Sequence, residues 1–363
     1  MVLAVAWSIE MDIRMCSIEA SSEHKEFCSF FETIVEDLTA ENWDHPEIGE
    51  AMSWLKEVLE YNTPGGKCIR GVTVLTSYRK LVASELQKDD NIRRVLAVGW
   101  CIELLQASFV ISDDITDHAV IRRGRLPWYK KDGIGMSAVN DACLLESCLY
   151  QILKKYCRGQ PYYLDLLELF LEISYRTELG QALDLVTSQP GKVDLERFTE
   201  TRFKAIAKFK TGFYTFYLPV AAAMYMAGID DEQEHRNAEN IFMEITTFYQ
   251  AQDDYLDCFG DPSVMGKAST DIQENKCTWL VIEALKRVTP EQRRLLEVNY
   301  GQDEAEKVQR VKQLYVELDL PTIYRQYEEE SYQKLQTLIS QHANGLSRDI
   351  YLGIAHVLYK RQK

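Results

Sequence analysis

Histidine is scarce in this sequence. Six occur among 363 residues, never at the spacing zinc ligands need, which argues against a histidine-based metal site. Paired cysteine is missing as well: the nine cysteines are odd in number and scattered without a CxxC, the usage of reduced, buried thiols in a cytoplasmic protein. Positive charge is in deficit, 41 Lys and Arg against 56 Asp and Glu. The resulting net charge of −15 argues against nucleic acid or an anionic membrane as a main partner. Neither a Walker loop nor a dinucleotide fingerprint occurs. No targeting signal is expected from the apolar start Met1 to Ser8, which has no basic flank and runs into Glu10 and Asp12. The one long uncharged run, 19 residues from Thr211 to Ile229, contains Pro219 and several hydroxyl-bearing residues in its first half, and is read as buried, not transmembrane.

Strand-like alternation is rare too, and no internal repeat or low-complexity linker breaks the chain. What is present is helical periodicity. Apolar residues recur three and four apart in 26–60, 91–117, 137–157, 162–186, 234–257 and 304–341. Thr289-Pro290-Glu291-Gln292 is a capping-box start with proline at the first helical position, and Gly301 suits the following stop. Polar or glycine-rich loops fall at 61–66, 123–134, 187–194 and 258–270. With 46% hydrophobic residues the chain can build a large core. The expected architecture is all-α, a single-domain helical bundle around a deep central cavity, with residues 1–24 as a variable N-terminal segment before a domain spanning 25–363.

Two acidic clusters carry the chemistry, Asp113-Asp114-Ile-Thr-Asp117 and Asp253-Asp254-Tyr-Leu-Asp257. On a helix the first and last carboxylates of each face the same way, and a second such group on a facing helix would enclose an anionic pocket. Acidic i,i+4 pairs usually mark only a solvated face. Here each follows a run too apolar for a surface helix, Val95 to Ser112 and Ile241 to Ala251, and partly buried, mutually repelling carboxylates need a cation. Oxygen-only ligands suit Mg²⁺, which completes its shell with water and substrate phosphates, so a diphosphate substrate is expected.

Basic residues follow each cluster: Arg122-Arg123-Gly124 after the first, Lys267 and Lys276 after the second. Upstream, Gly65-Gly66-Lys67-Cys68-Ile69-Arg70-Gly71 offers a glycine turn with Lys67 and Arg70 one helical turn apart, a pairing suited to phosphate. Alone, this stretch reads equally as a glycine turn opening a helix. Beside two acidic clusters it becomes a strong candidate for binding phosphate.

GGKCIRG (65–71), LLQASFVISDDITDHAVIRRG (104–124), ELGQALDL (178–185), KFKTGFYTFYLPVAAAMYMAGID (208–230), FYQAQDDYLDCFGDPSVMGKASTDIQENKCTWL (248–280) and the basic ending YKRQK (359–363) resemble the trans-isoprenyl diphosphate synthases. The likeness is in detail to the animal farnesyl diphosphate synthases, and it runs from about Phe27 to the C-terminus. It implies an all-α isoprenoid synthase fold, with 211–229 in the core around the reaction cavity, and a homodimer. It also implies a prenyltransferase joining allylic diphosphates head-to-tail to isopentenyl diphosphate, with several Mg²⁺ ions per site and Mn²⁺ as a substitute.

Carried over residue by residue, Asp113, Asp117 and Asp253 match direct metal ligands, while Asp114, Asp254 and Asp257 match further ligands or supports of the ligands. Arg122, Lys210 and Lys267 match the holders of the allylic diphosphate. Lys67, Arg70, Gln106, Arg123 and the tail residue Arg361 match those of isopentenyl diphosphate. Thr211, Gln250 and the Lys210 carbonyl match positions lining the allylic cation, although helix-interior polar groups bonding locally fit the first two equally well. Phe109 lies one turn before Asp113 on the same face with Ser108 beside it, so the two are expected to form the wall that sets product length.

Three departures from the family pattern occur: Ile69 where asparagine is usual, Ala268-Ser269 where a hydrophobe and glycine are usual, and Ser108 where animal members carry an aromatic. None removes a charge. The alternatives are a terpene synthase built on the same scaffold, a geranylgeranyl diphosphate-forming prenyltransferase and a non-catalytic helical binding protein. The intact second set of cations argues against the first of these and the complete acidic clusters against the last.

Overall fold

The computed structural model describes residues 21–40, 45–189, 191–260, 270–343 and 348–359. The described residues are helical, with no named strand and one isolated bridge between Arg122 and Arg125. They pack as two compact units, the first formed by 1–172 with 217–235 and the second by 173–216 with 236–363.

In the first unit the helices are α1 (Ser22–Ser29), α2 (Phe31–Thr39), α3 (Gly49–Asn62), α4 (Ile69–Leu81), α5 (Asp89–Thr116) and α6 (Ala138–Cys157). The first part of α7 (Tyr163–Thr187) and all of α9 (Leu218–Met226) complete it. Helix α5 is apolar on every face because every face is covered: Val95 through Leu105 are all buried, and α4 and α6 pack along it. It is long and apolar enough to cross a membrane, yet 78% of its most apolar window is buried inside the protein.

Two glycines set how closely α4 and α5 approach. A Cβ on Gly99 would sit 2.9 Å from the Gly71 carbonyl oxygen, and one on Gly71 would sit 2.1 Å from the Phe27 ring. Phe27 in turn stacks on Trp100 at 4.6 Å, whose indole N–H donates to the Phe27 carbonyl. Elsewhere Asp141 ties α3 to α6, each carboxylate oxygen accepting an indole N–H at 2.8 Å, from Trp54 and from Trp128. The helix expected over 26–60 is three helices. One break falls at His45-Pro46, where proline lacks an N–H and disfavours helix at the residue before it.

In the second unit α7 continues to Thr187, followed by α8 (Glu200–Ile206), a π-helix (Ala207–Tyr217), most of α10 (Glu232–Phe259), α11 (Trp279–Leu285), α12 (Pro290–Asn299), α13 (Ala305–Glu317), α14 (Leu320–His342) and α15 (Arg348–Leu358). Its core gathers Trp279, Leu296, Tyr300, Val311, Leu314 and Tyr315, and Tyr255 stacks on Tyr324 at 3.9 Å. The expected capping box is present: Thr289 Oγ accepts from Gln292 N–H and Gln292 Oε1 accepts from Thr289 N–H. The helix expected over 304–341 breaks at Asp319, which turns left-handed (φ 53°), and Pro321 occupies the first turn of the next helix, where no N–H is required.

The uncharged run 211–229 lies in the π-helix and α9, with Leu218 through Met224 all buried. The π-helix is wedged by two more glycines. A Cβ on Gly180 of α7 would lie 2.1 Å from the Lys210 amide nitrogen, and one on Gly212 would lie 2.5 Å from Thr246 Oγ1 of α10. Such i→i+5 winding is uncommon and concentrates at functional sites.

Candidate active site

In the first unit, Asp113, Asp114 and Asp117 close the C-terminal turn of α5, with Asp117 as its cap. Three carboxylates at the negative end of a helix dipole repel both one another and the dipole. Arg122 relieves this: its Nε donates to Asp114 Oδ1 at 2.7 Å, and Nη2 lies 2.6 Å from Asp114 Oδ1 and 3.2 Å from Asp113 Oδ2. Burial works against the guanidinium's charge, yet Asp114 and Asp113 raise its pKa above the ordinary value. Asp114 is almost wholly buried, and burial lifts its pKa against the pull of Arg122. Its paired short contacts to one guanidinium keep it in the ion pair. Asp113 and Asp117 are half-buried on the same side of the helix, while Asp114 turns inward.

Arg122 and Arg123 are adjacent yet point to different places. Arg122 and Arg125 exchange both backbone hydrogen bonds, and Arg123 (φ 52°) and Gly124 (φ 74°) between them are both left-handed, the I′ arrangement of a two-residue reversal. Arg123 thereby reaches the chain before the glycine pair, its Nη1 donating to the carbonyls of Pro64 at 2.9 Å and Asn62 at 3.2 Å. A Cβ on Gly66 would meet that guanidinium at 3.1 Å, so the glycine turn and Arg123 are fitted to each other. Lys67 and Arg70 do not share a helix face as expected. Cys68 is left-handed (φ 48°) and α4 begins at Ile69, which places Lys67 in the turn and Arg70 in the first helical turn.

Along α5, Gln106 keeps its side-chain oxygen buried without a donor, Ser108 is buried, and Phe109 is half-buried one turn before Asp113.

In the second unit, α10 carries the other cluster. Asp254 is buried with both oxygens engaged by protein donors: Oδ1 accepts from Gln250 Nε2 at 2.9 Å and Oδ2 from the Trp279 N–H at 2.7 Å. Burial, with Asp253 and Asp257 adding to it, pushes its pKa up to about 7. Asp254 therefore supports the site instead of facing outward as a ligand. It orients the Gln250 amide, whose oxygen accepts from Thr211 Oγ1 at 3.4 Å, so Thr211 bonds across to α10 rather than locally. Asp257 Oδ2 accepts from the Asp271 N–H at 3.4 Å, and Asp253 is half-buried.

Lys210, carried by the π-helix, places Nζ 2.7 Å from Asp184 Oδ2, and Lys276 reaches the same oxygen at 3.1 Å. Burial alone would raise the Asp184 pKa, but the two ammonium groups hold its carboxyl far below the usual range. Sequence reasoning missed Asp184 and left Lys276 without a role. ELGQALDL contains Asp184, but nothing in its spacing announces a partner 26 residues away. Lys267, Ala268, Ser269 and Arg361 lie outside the described residues.

The donor set tests the metal expectation. Among the described residues no three carboxylate, imidazole or thiolate groups are gathered closely enough to hold an ion by themselves. Carboxylates spaced as Asp113 and Asp117 fit a hard cation that takes most of its shell from water and phosphate, as Mg²⁺ does.

Residues 52–318 match the sequence profile of the polyprenyl synthetase family. The chain is 58% identical over 341 residues to the farnesyl pyrophosphate synthase of Gallus gallus, covering 94% of this chain and 93% of that one. It is 56% identical over 360 residues to that of Homo sapiens, covering 99% and 86%. Among solved structures it is similar to T. brucei farnesyl diphosphate synthase complexed with risedronate, with a TM-score of 0.86 and 29% identity over 94% of this chain and all of that one.

Proposed function

Because this chain belongs to the polyprenyl synthetase family, we propose that it is a farnesyl diphosphate synthase, joining dimethylallyl and then geranyl diphosphate to isopentenyl diphosphate. The observation that carries the reading is the divergence of Arg122 and Arg123. One is seated on the first acidic cluster and the other on the glycine-lysine turn, which supports two separate places for anions in the first unit. A condensation of two diphosphates needs both. A terpene synthase, which only ionises its substrate, needs one.

Bound Mg²⁺ would be held by Asp113 and Asp117 of the first unit and Asp253 of the second, with Asp257 as a further ligand or its support, and would neutralise the departing diphosphate. Mn²⁺ is the expected substitute. Arg122, Lys210 and Lys267 hold the allylic diphosphate and stabilise its growing charge as the carbon–oxygen bond breaks. The Thr211 hydroxyl, the Gln250 amide and the Lys210 carbonyl offer neutral dipoles to the allylic cation without trapping it. Asp254 fixes the Gln250 amide, so these dipoles are set before reaction. Lys67, Arg70, Gln106, Arg123 and Arg361 hold isopentenyl diphosphate, whose double bond attacks the cation. The proton then lost goes to the released diphosphate.

The catalytic domain in this reading is 25–363, and the family match includes residues of both units. A homodimer is part of the proposal, supported by exposed apolar side chains along α7, at Leu164, Leu171, Tyr175, Leu179, Leu185 and Val186. A cytoplasmic location is supported by the eight cysteines of the described residues, none in a disulfide. The test is incubation with Mg²⁺ and dimethylallyl, geranyl or farnesyl diphosphate, each with and without isopentenyl diphosphate, separating diphosphates from volatile products. Elongation consumes isopentenyl diphosphate. Volatile hydrocarbons or alcohols formed in its absence refute the reading in favour of a terpene synthase.

A further inference from the structure

Glu103 is a buried carboxylate within the fully buried run Val95–Leu105 of α5, and no step of the reaction above uses it. Burying an acid there is costly unless its charge and its hydrogen-bonding capacity are met. Both are met at the first turn of α4. Glu103 Oε1 accepts from the Gly71 N–H at 2.9 Å. Gly71 is the third residue of α4, whose N-cap, Cys68, supplies no side-chain cap. The first backbone bond inside this turn is Val72 N–H to Cys68 carbonyl, so the Gly71 donor lacks an acceptor within its own helix. A carboxylate from a neighbouring helix takes the place of the missing cap and faces the positive end of the α4 dipole.

The reach depends on the glycine pair described above. Gly99 lies one turn before Glu103 on the same face of α5, and its missing side chain lets the Gly71 backbone come close enough to be grasped. Glu103 is also the first of the charges that offset the burial of Arg123, whose pKa burial alone pulls down. One carboxylate thus meets the helix that begins with Ile69 and Arg70, and the arginine that clasps the turn just before it.

We propose that Glu103 is the positioning residue of the GGKCIRG cradle, fixing the start of α4 so that Lys67 and Arg70 are presented to the diphosphate of isopentenyl diphosphate. This rests on the function proposed above. The experiment is steady-state kinetics with each substrate varied at saturating concentration of the other, on wild type, Glu103→Ala and Glu103→Gln, with thermal unfolding alongside. Glu103→Ala raises KM for isopentenyl diphosphate by about tenfold or more, on the scale of one lost hydrogen bond to a charged group, while KM for geranyl diphosphate stays within about threefold. Glu103→Gln keeps an acceptor for the Gly71 N–H and returns the constant to within about threefold of wild type. Should Glu103→Ala not fold, Glu103→Asp, which keeps the charge but withdraws the acceptor by one methylene, carries the same expectation. Equal rises in both constants, or a Gln variant as impaired as the Ala variant, overturn the proposal while a wild type that elongates leaves the function standing. A wild type that leaves isopentenyl diphosphate unconsumed sinks both.

Discussion

Gly180→Ala tests whether the π-helix is held in place by packing against α7. The added Cβ would stand 2.1 Å from the Lys210 nitrogen, 2.4 Å from the Phe209 carbonyl carbon and 2.6 Å from the Lys210 Cα. All three are backbone atoms, so no side-chain rotation relieves the clash. Even to reach the 3.0 Å limit the segment must retreat by about 0.9 Å (3.0 − 2.1). Overpacking of this kind costs about 1–3 kcal/mol, and alanine's better helix propensity offsets roughly 1 kcal/mol of that. The net destabilisation is about 0–2 kcal/mol, a fall in Tm of at most a few degrees. Activity falls much further. Lys210 and Thr211 move with the backbone, and a displacement near 1 Å at a reacting centre lowers turnover on the order of 10²-fold. The controls separate strain from site. Gly212→Ala meets the buried Thr246 side chain, Oγ1 at 2.5 Å and Cγ2 at 2.8 Å, and so strains the same π-helix from α10 without the α7 contact. Gly228→Ala has open space but a φ of +77°, so it loses about 1 kcal/mol of stability and no turnover. Measured kcat/KM and Tm decide: a Gly180→Ala enzyme with turnover within threefold of wild type refutes the idea that this contact sets the position of Lys210.

Asp113→Ala and Asp253→Ala each abolish Mg²⁺-dependent turnover while leaving the far-ultraviolet circular dichroism helical; turnover persisting in chelated buffer would count against both assignments. Arg70→Ala raises KM for isopentenyl diphosphate at least about tenfold more than KM for geranyl diphosphate, and matched changes contradict the division between the two anion sites. Ser108→Phe shortens the product range and Phe109→Ala lengthens it, read by chromatography of dephosphorylated products; wild type is expected to make farnesyl diphosphate with some geranylgeranyl diphosphate. Asp184→Asn shows its greatest stability loss at neutral pH. Its folded pKa is depressed by Lys210 and Lys276, so the carboxylate's contribution is present above the unfolded value near ~4 and fades as pH falls further, and the gap in Tm between variant and wild type must narrow below that pH.

Long, strongly patterned helices were legible in the sequence. The apolar runs that end in Asp113 and Asp253 became α5 and α10, and the capping box at Thr289 became a helix start. Breaks were harder to read: 304–341 keeps its periodicity straight through Asp319, and the left-handed residue there is recognised only when the backbone is traced. The candidate site was picked out by residue types whose chemistry is narrow, such as paired aspartates and arginines. What could not be read was which of those residues face inward. Asp113 and Asp114 are one letter repeated, yet the helix turns the second into the protein against Arg122. Asp254 likewise holds Gln250. The π-helix had no signature either, because its winding depends on what Gly180 of another helix does not have. Glu103 and Asp184 escaped notice for the same reason, since each acts on a partner distant in sequence.

In the function proposed above, the reversal at Arg123-Gly124 makes neighbouring letters of the sequence into addresses for two different substrates. One peptide bond separates the cation that attends the leaving diphosphate from the one that clasps the acceptor's turn. Any change that flattens this bend, by insertion, deletion or a bulky residue at Gly124, acts on both substrates together. A replacement of Arg123 alone acts on one. The fold therefore contains a short route from a condensing enzyme to one that merely ionises, in which half of a two-residue turn is surrendered and the acidic cluster with Arg122 is left as it stands.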